Sequence, residues 1–412
     1  MKKTLIVLLF TAATFHVAAQ SIRVSRHDAP WAWYVDAGRF YNYNRYEGSR
    51  IELGFTGAYP NSNSTKGKHL AKPSLRLNGY VAYGFRDQGV KFGGSANWRP
   101  QKHSITYGIG GRHDLEYAAS RNLSKYQMLL PANNSCYLTS RYVGVNSGWL
   151  TLSASPTPKL DLSAWLQMSW EDYRFDGRNI FYPSIYPNQK NVVRQFSELI
   201  LRAEWNKCVT MRLRGGMAEG LYDGNILTDR TEQGYFSGLL QYDAQPGKKG
   251  LYVFAQVGFA SHQAPYSRMF DLSGTAYAPY FFRNNFLTVR PNAFAAHYFA
   301  HLCLYYRPPL PLWELSWSQP RAFLQVNAMI GGLHGQDEKG CAMVDNIPLQ
   351  APFKGLIEPA SGFDGLLRWG LMDIGVGVAY QICPHSAPYS YQDPSDNIII
   401  TMVANLILDK IY

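Results

Sequence analysis

After its first twenty residues, the chain of 412 residues lacks any long hydrophobic run. A membrane-spanning helix needs about 20 consecutive apolar residues, so the rest of the sequence predicts no such helix. Charged residues are also scarce, at 17% of the chain. The formal net charge is +11, but Lys and Arg never form a block and lie scattered among aromatic residues. This spread argues against nucleic acid as a partner, because nucleic-acid binding needs a basic patch or stripe.

Catalytic signatures are missing as well. The sequence contains no GxSxG, P-loop or dinucleotide-binding motif, and no His-x-Ser-Asn-Gly pattern of outer-membrane phospholipases. We therefore expect a protein that is not an enzyme and that needs no cofactor. The five cysteines make an odd count without CxxC spacing. Cys136 and Cys341 both fall in predicted outer loops and are the one pair considered for a disulfide, and five unrelated small apolar residues are the alternative.

What the chain does have is an export signal. Lys2 and Lys3 precede an apolar run at 5–10, and small residues follow up to Ala19. This arrangement is typical of a cleaved secretory signal peptide at 1–19. Residues 20–32 are then predicted to be an unstructured periplasmic lead.

The main pattern is an alternation of apolar and polar residues in runs of about ten. In one run, Leu162, Leu166 and Met168 share one parity, while Gln167 and Glu171 occupy the other. Side chains of a strand point alternately to opposite faces, so each run predicts one apolar face and one polar face. The predicted lipid-facing residues are Leu162, Leu166, Met168, Leu199, Leu201, Met211, Leu213, Ile400 and Leu406.

Such runs predict a barrel, because lipid offers no partner to an open sheet edge. The predicted fold class is all-β: a transmembrane antiparallel β-barrel over 33–412, with 16 strands and with 14 or 12 as alternatives. Aromatic residues make up 15% of the chain, including 29 Tyr and 10 Trp, which fits two interfacial girdles. The predicted strands are 33–43, 49–59, 74–84, 90–98, 104–117, 138–154, 160–173, 194–206, 208–219, 232–243, 250–261, 296–307, 321–333, 359–367, 371–382 and 397–409.

Long segments alternate with short turns, which predicts that the long ones, especially 174–193 and 262–295, are exposed outside the cell. The turn at Asn206 and Lys207 is one of the short periplasmic connections. The last strand ends in Tyr412 on its apolar parity. A terminal outward aromatic residue is the cue that the outer-membrane insertion machinery reads, so this machinery is an expected partner.

Charged residues on the inward parity predict a network in the barrel lumen. Two interpretations stay open, structural filling of a wide barrel and a selective ion path. The candidate lumen network comprises Arg50, Glu52, Arg76, Arg112, Asp114, Glu116, Glu171, Glu198, Arg202, Glu204, Arg212 and Arg214. Glu47 and Gly48 lie just before Arg50 in the sequence, and Gly48 indicates a bend.

Histidines invite a metal hypothesis that the strand geometry disfavours. His297 and His301 share a parity, and His262 lies in the preceding loop. On a strand, the two imidazoles of one parity four residues apart would lie about 13 Å apart, too far to share one ion. We therefore expect no metal site.

Several motifs resemble a family of Bacteroidetes outer-membrane proteins of unknown function. They are the stretches 44–55, 79–87, 111–116, 284–301 and 355–359, and the resemblance covers about residues 40–412. In that family, this region is the C-terminal β-barrel and usually follows a carboxypeptidase-regulatory-like domain, which has no counterpart here. A weaker similarity links 362–377 to surface-antigen barrels related to outer-membrane assembly proteins. The resemblance implies a location and an architecture, and no activity.

The expected location is the outer membrane of a Gram-negative bacterium, with membrane lipid and lipopolysaccharide as surroundings. The predicted role is that of a cell-envelope component, as a pore, a transport-associated protein or a surface scaffold. The alternative is a barrel enzyme that acts on lipid or surface polymer, which would need a nucleophile with a base in reach.

Overall fold

The computed structural model describes residues 21–25, 29–36, 40–44, 47–59, 74–100, 104–117, 142–172, 192–223, 226–229, 233–244, 250–272, 286–289, 293–344, 347–369, 372–382 and 397–406. The predicted signal peptide at 1–19, Cys136, Tyr412 and residues 174–191 of the predicted loop 174–193 lie outside these residues. Within the described part of the chain, no helix has the length and hydrophobicity that a membrane crossing needs.

The described residues form strands almost throughout, with one 3₁₀ turn at Tyr266–Arg268. The strands are β1 Ser21–Arg23, β2 Ala32–Asp36, β3 Tyr41–Asn44, β4 Gly48–Tyr59, β5 Leu75–Gly84, β6 Val90–Trp98, β7 Ile105–Tyr117, β8 Tyr142–Thr157, β9 Leu160–Asp172, β10 Val192–Trp205, β11 Val209–Asp223, β12 Ile226–Asp229, β13 Gln233–Ala244, β14 Leu251–Ala260, β15 Phe270–Asp271, β16 Ala295–Ala296, β17 Tyr298–Tyr306, β18 Arg321–Gly332, β19 Cys341–Val344, β20 Ile347–Gln350, β21 Leu356–Trp369, β22 Met372–Tyr380 and β23 Ile398–Leu406.

The predicted fold class, an all-β antiparallel barrel of 16 strands, is confirmed. The main sheet contains 19 strand segments. β2 and β3 both fall within the first predicted strand, and β1 and β12 are short additions, which leaves the predicted sixteen. One expectation for the lead is wrong, because β1 pairs with β2 in a region predicted to be unstructured.

The chain divides into two compact units. The first comprises residues 1–117, 125–206 and 212–235. In it, each long strand pairs antiparallel with the next one along the chain, from β4 to β10. β2 pairs with the other edge of β4. Short connections join β5 to β6, β6 to β7 and β8 to β9, so these pairs can form as local hairpins.

The second unit comprises residues 118–124, 207–211 and 236–412. Its strands follow the same neighbour-to-neighbour order, β13, β14, β17, β18, β21, β22 and β23, and every pair is antiparallel. The register of β21 against β22 shifts between Phe363 and Leu367, where Gly365 has a φ of +67°. This β-bulge bends the strand near its end.

One face of the strands is apolar and exposed, as predicted. Most predicted lipid-facing residues are exposed, namely Leu162, Leu166, Met168, Leu199, Leu201, Met211 and Ile400. Leu213 is half-buried, and the side chain of Leu406 lies outside the described part. The opposite parity carries buried polar residues such as Glu171 and Glu198. A soluble sheet buries its apolar face, so this reversed arrangement is that of a barrel with lipid outside.

The segment 262–295 differs from its expected exposure. Residues 264–270 and 286–289 are buried, and β15 and β16 pair with each other. The prediction that this segment lies exposed is therefore wrong for these residues. A second unexpected feature is the hairpin of β19 and β20. It carries Cys341 as a free thiol, whose pKa is raised by burial and by the Asp337 carboxylate.

Candidate functional site

Arg50 is the centre of a buried ion cluster in the first unit. It lies on β4, and its guanidinium donates to both carboxylate oxygens of Asp114 on β7, at 2.7 and 3.0 Å. It also donates to Glu52 at 2.9 Å. Tyr80 on β5 donates its hydroxyl to the same Asp114 carboxylate at 2.6 Å. The sequence predicted the inward faces of Arg50, Glu52 and Asp114, and the structure brings these three together.

Glu47 extends this cluster toward β6. Its carboxylate lies 3.4 Å from Arg50 and 2.8 Å from the ammonium group of Lys91, which in turn contacts Asp87. Glu47 is only 1% exposed. We call Glu47, Arg50, Glu52, Tyr80, Asp87, Lys91 and Asp114 the Arg50 cluster. Its four carboxylates outnumber its two cations, so the cluster presents excess negative charge to the inner face.

Glycines make room for these charges. A Cβ on Gly84 would lie 2.2 Å from Oδ1 of Asp87 and 2.8 Å from Nζ of Lys91, so a side chain at this position would displace the two charged groups. Gly48 has a φ of +69°, a left-handed conformation that glycine adopts without strain. It directly follows Glu47, whose carbonyl accepts a hydrogen bond from the Arg86 amide. The bend predicted at Gly48 therefore places Glu47 in the interior.

The remaining predicted network residues form separate groups. Arg112 pairs with Glu116 at 2.8 Å, and Arg202 contacts Glu204. Arg214 lies 3.4 Å from Glu198. By exposure, Glu171 is buried, Arg212 is half-buried, and Arg76 is exposed. The twelve residues thus share an inward parity, and the ion pairs named here lie at several places along the strands.

On β10, β11 and β13, neutral side chains contact carboxylates. Tyr235 donates its hydroxyl to the buried Glu198 at 2.6 Å. Gln195 donates to Glu219 at 2.6 Å, and Ser197 contacts the same carboxylate. Sequence parity gave Glu198, but not these neutral partners, because Tyr, Gln and Ser carry no charge signal.

In the second unit, a buried carboxylate holds the segment 286–289. Glu358 on β21 accepts hydrogen bonds from the main-chain amides of Leu287, at 2.9 Å, and Thr288, at 2.7 Å. The Thr288 hydroxyl donates to it at 2.6 Å. Glu358 has no exposed surface. These three hydrogen bonds satisfy a carboxylate that would otherwise be costly to bury.

Leu287 anchors the same segment by packing. It belongs to an apolar cluster on the inner face of the second unit, with Phe254 of β14, Tyr305 of β17 and Phe323 of β18. Phe286 contacts the imidazole of His301, with ring centroids 5.3 Å apart. The inner face of this unit is therefore a packed core that includes residues of a long connecting segment.

A second buried carboxylate of this unit lies near the opposite end of β21. Asp364 accepts a hydrogen bond from Arg307 at 2.8 Å, and Arg307 follows directly after β17. The Tyr305 hydroxyl lies 3.5 Å from the same carboxylate. Sequence reasoning missed Asp364, although it lies within the predicted strand 359–367, and it missed Glu358, which lies one residue before that predicted strand.

Three histidines meet at the end of β14, β17 and β18. The ring centroids of His297 and His334 are 4.8 Å apart, and His262 lies 6.5 and 5.8 Å from them. The His334 amide donates to Nδ1 of His297 at 3.3 Å, and Nε2 of His334 lies 3.3 Å from the Ala260 carbonyl. Of the residues that the structure describes, no three His, Cys, Asp or Glu are placed to hold a metal ion. His301, paired with His297 in the metal hypothesis, contacts Phe254 and Phe286 instead.

Neither family models nor curated proteins match the chain. Solved structures similar to it include BamA from Haemophilus ducreyi lacking POTRA domains 1–3, at 7% identity and a TM-score of 0.48, covering 92% of this chain and 74% of that one. Another is CdiB from Acinetobacter baumannii, at 9% identity and a TM-score of 0.41, covering 87% and 57%. A third is OccK11 (OpdR) from Pseudomonas aeruginosa, at 12% identity and a TM-score of 0.28, covering 82% and 86%. At these identities and scores, none of them assigns an activity to this chain.

Proposed function

We propose that the chain is an outer-membrane β-barrel of a Gram-negative cell envelope that acts as a gated, transport-associated conduit. Three features support an outer-membrane location: strands of membrane length, an exposed apolar face and a predicted export signal. Lipid and lipopolysaccharide are the surroundings that such a face requires. The family of Bacteroidetes outer-membrane proteins named above remains our proposed affiliation.

The observation that supports gating is that Glu358 accepts hydrogen bonds from Leu287 and Thr288. A long segment between two strands enters the inner face, packs into its core and is fixed there by one carboxylate. In a permanently open pore, water fills the lumen. The segment is held by hydrogen bonds to Glu358 and by the packing of Phe286 and Leu287, and its release at the cost of these contacts would give an element with two states.

Single-channel conductance of the refolded full chain in a planar lipid bilayer tests this proposal. We expect the wild type to conduct rarely. Glu358→Gln replaces a carboxylate, which accepts hydrogen bonds from Leu287, Thr288 and Asn327, by an amide whose NH₂ group faces donors, so the variant should open more often. Thr288→Val, which removes one hydrogen bond at nearly constant shape, should have a smaller effect in the same direction.

The matched control is Glu314→Gln, which makes the same chemical change at an exposed position in the turn after β17. It should conduct like the wild type. Steady, equal conductance of the wild type and Glu358→Gln would show an ungated pore. No conductance in either protein at any voltage would favour the surface scaffold.

A further inference from the structure

The turn between β17 and β18 is far more apolar than a connection at a barrel rim needs to be. Residues 308–320 contain four prolines, three leucines, two tryptophans and one charged residue, Glu314. The large apolar side chains are not covered: Leu310 is 78% exposed, Leu312 61% and Trp317 57%. A contiguous exposed apolar patch of this kind marks a surface that meets a partner or a membrane.

The turn is ordered without a partner. The Leu312 amide donates to the Pro320 carbonyl, and Leu315 and Ser318 form a bridge. The segment also extends the pairing of β18 with β21, since Gln319 donates to Gly365 and Arg368 donates to Trp317. The turn is therefore fixed in place as a continuation of the sheet.

Several polar groups of this turn are paired within the protein. Main-chain amides at Leu312, Leu315, Ser318 and Gln319 all donate to carbonyls. The indole N–H of Trp313 donates to the Ser318 hydroxyl at 3.2 Å.

The apolar patch is continuous with the lipid-facing side of the strands. Tyr306, the last residue of β17, is 43% exposed, and Leu324 on β18 and Leu367 on β21 are exposed at the same end. Tryptophan prefers the boundary between hydrocarbon and headgroups, because its ring is apolar while its N–H is polar. Trp313 and Trp317 lie just beyond that side of the strands.

From these observations, we infer that residues 308–320 are a membrane-interface anchor that inserts into the lipid leaflet at this end of the strands. This end is opposite to the long connections, so in the proposed orientation it is the periplasmic leaflet. The inference rests on the proposed outer-membrane location. It adds a specific lipid contact, made by phospholipid headgroups and the upper acyl chains, to a turn that would otherwise lie in water.

Spin-label accessibility of the full chain, refolded in vesicles of phosphatidylethanolamine and phosphatidylglycerol, tests this inference. Nitroxide labels are attached to Leu312→Cys, Leu324→Cys or Met343→Cys in a background whose native cysteines are replaced. Leu324 reports the lipid-facing strand surface. Met343, 64% exposed on the β19–β20 hairpin at the other end, is the matched apolar control.

We expect the label at 312 to collide with oxygen as often as the label at 324, and several-fold less with a water-soluble nickel chelate than the label at 343. A label at 312 that meets nickel as freely as 343 does, while 324 stays shielded, would overturn the anchor and leave the barrel intact. Nickel access at 324 as well would contradict the membrane location itself. If 312 is open to nickel in vesicles but shielded in native outer membranes, the occupant is a protein, and the lipid anchor is wrong.

Discussion

At the scale of single residues, the guanidinium of Arg50 has an unusual number of partners. It contacts the carboxylates of Asp114, Glu52 and Glu47, and it is almost fully buried. Arg50 is the cation nearest to Asp114 and Glu52 among the contacts described above, and it shares Glu47 with Lys91, which lies 2.8 Å from that carboxylate. Removing one partner of a buried ion group leaves an uncompensated buried charge. The free-energy cost of that charge is larger than the net stabilisation from the intact group.

We therefore expect Arg50→Ala to lower the free energy of unfolding by about 3–5 kcal/mol, the range for breaking a buried ion pair. Urea titration of the refolded protein in lipid vesicles measures this change. Arg76→Ala is the matched control, since Arg76 shares the predicted inward parity but is exposed. Its effect should stay within about 0.5 kcal/mol. Equal losses in both variants would show that the Arg50 cluster does not stabilise the fold.

Three strand residues of the cluster were predicted from parity, whereas Tyr80 and Lys91 on strands and Glu47 and Asp87 in turns were missed. Arg50, Glu52 and Asp114 follow the period of two, so their shared face can be read from the sequence. Glu47 and Asp87 lie in turns, where side-chain direction depends on local dihedral angles such as the positive φ of Gly48. A period of two carries no information there.

At the scale of elements, the strands were predictable because their two faces meet different solvents. A row across three strands illustrates this: Leu150, Leu166 and Leu199 are register partners on β8, β9 and β10, and all three are exposed. Strand boundaries were less predictable. The predicted strand starting at Pro359 begins three residues earlier in the structure, because Pro359 lies within β21. That error placed Glu358 outside the strand and hid its inward direction.

The row at Leu166 gives a test of the two faces. Leu166→Arg places a charge on the lipid side at the middle of β9, which should cost about 2–4 kcal/mol of folding free energy in vesicles. Gln167→Arg, one residue away on the other parity, should have a mild effect. Both variants are measured by urea titration in the same lipid. Equal sensitivity at 166 and 167 would contradict the assignment of the exposed face to lipid.

At the scale of the whole molecule, the connections were harder to predict than the strands. Length alone suggested that 262–295 is an exposed loop, yet residues 264–270 and 286–289 are buried. Apolar pairs inside this long segment, Met269 with Phe270 and Phe286 with Leu287, are the signal that was available in the sequence. Insertion into a core produces no periodic pattern, since each residue meets its own surroundings, so composition is the only clue.

Limited trypsin digestion of intact cells tests both which end of the strands faces outside the cell and whether residues 264–270 are buried. We expect cleavage after Lys339, which is exposed in the connection between β18 and β19, and protection of Arg268, which is 1% exposed. Digestion of the urea-unfolded protein, where Arg268 should be cut, controls for intrinsic susceptibility. Cleavage after Lys159, in the turn between β8 and β9, with Lys339 intact would mean that the orientation is inverted.

The Arg50 cluster also constrains the order of assembly. Its members come from β4, β5, β6, β7 and the turns between them, and Arg50 and Asp114 are 64 positions apart. A single hairpin entering hydrocarbon would carry its charges without their counter-ions, at a cost of several kcal/mol each. Insertion of these strands together, with Arg50 and Lys91 already paired with carboxylates, lowers this barrier. The ion cluster therefore makes these four strands one cooperative step of membrane insertion.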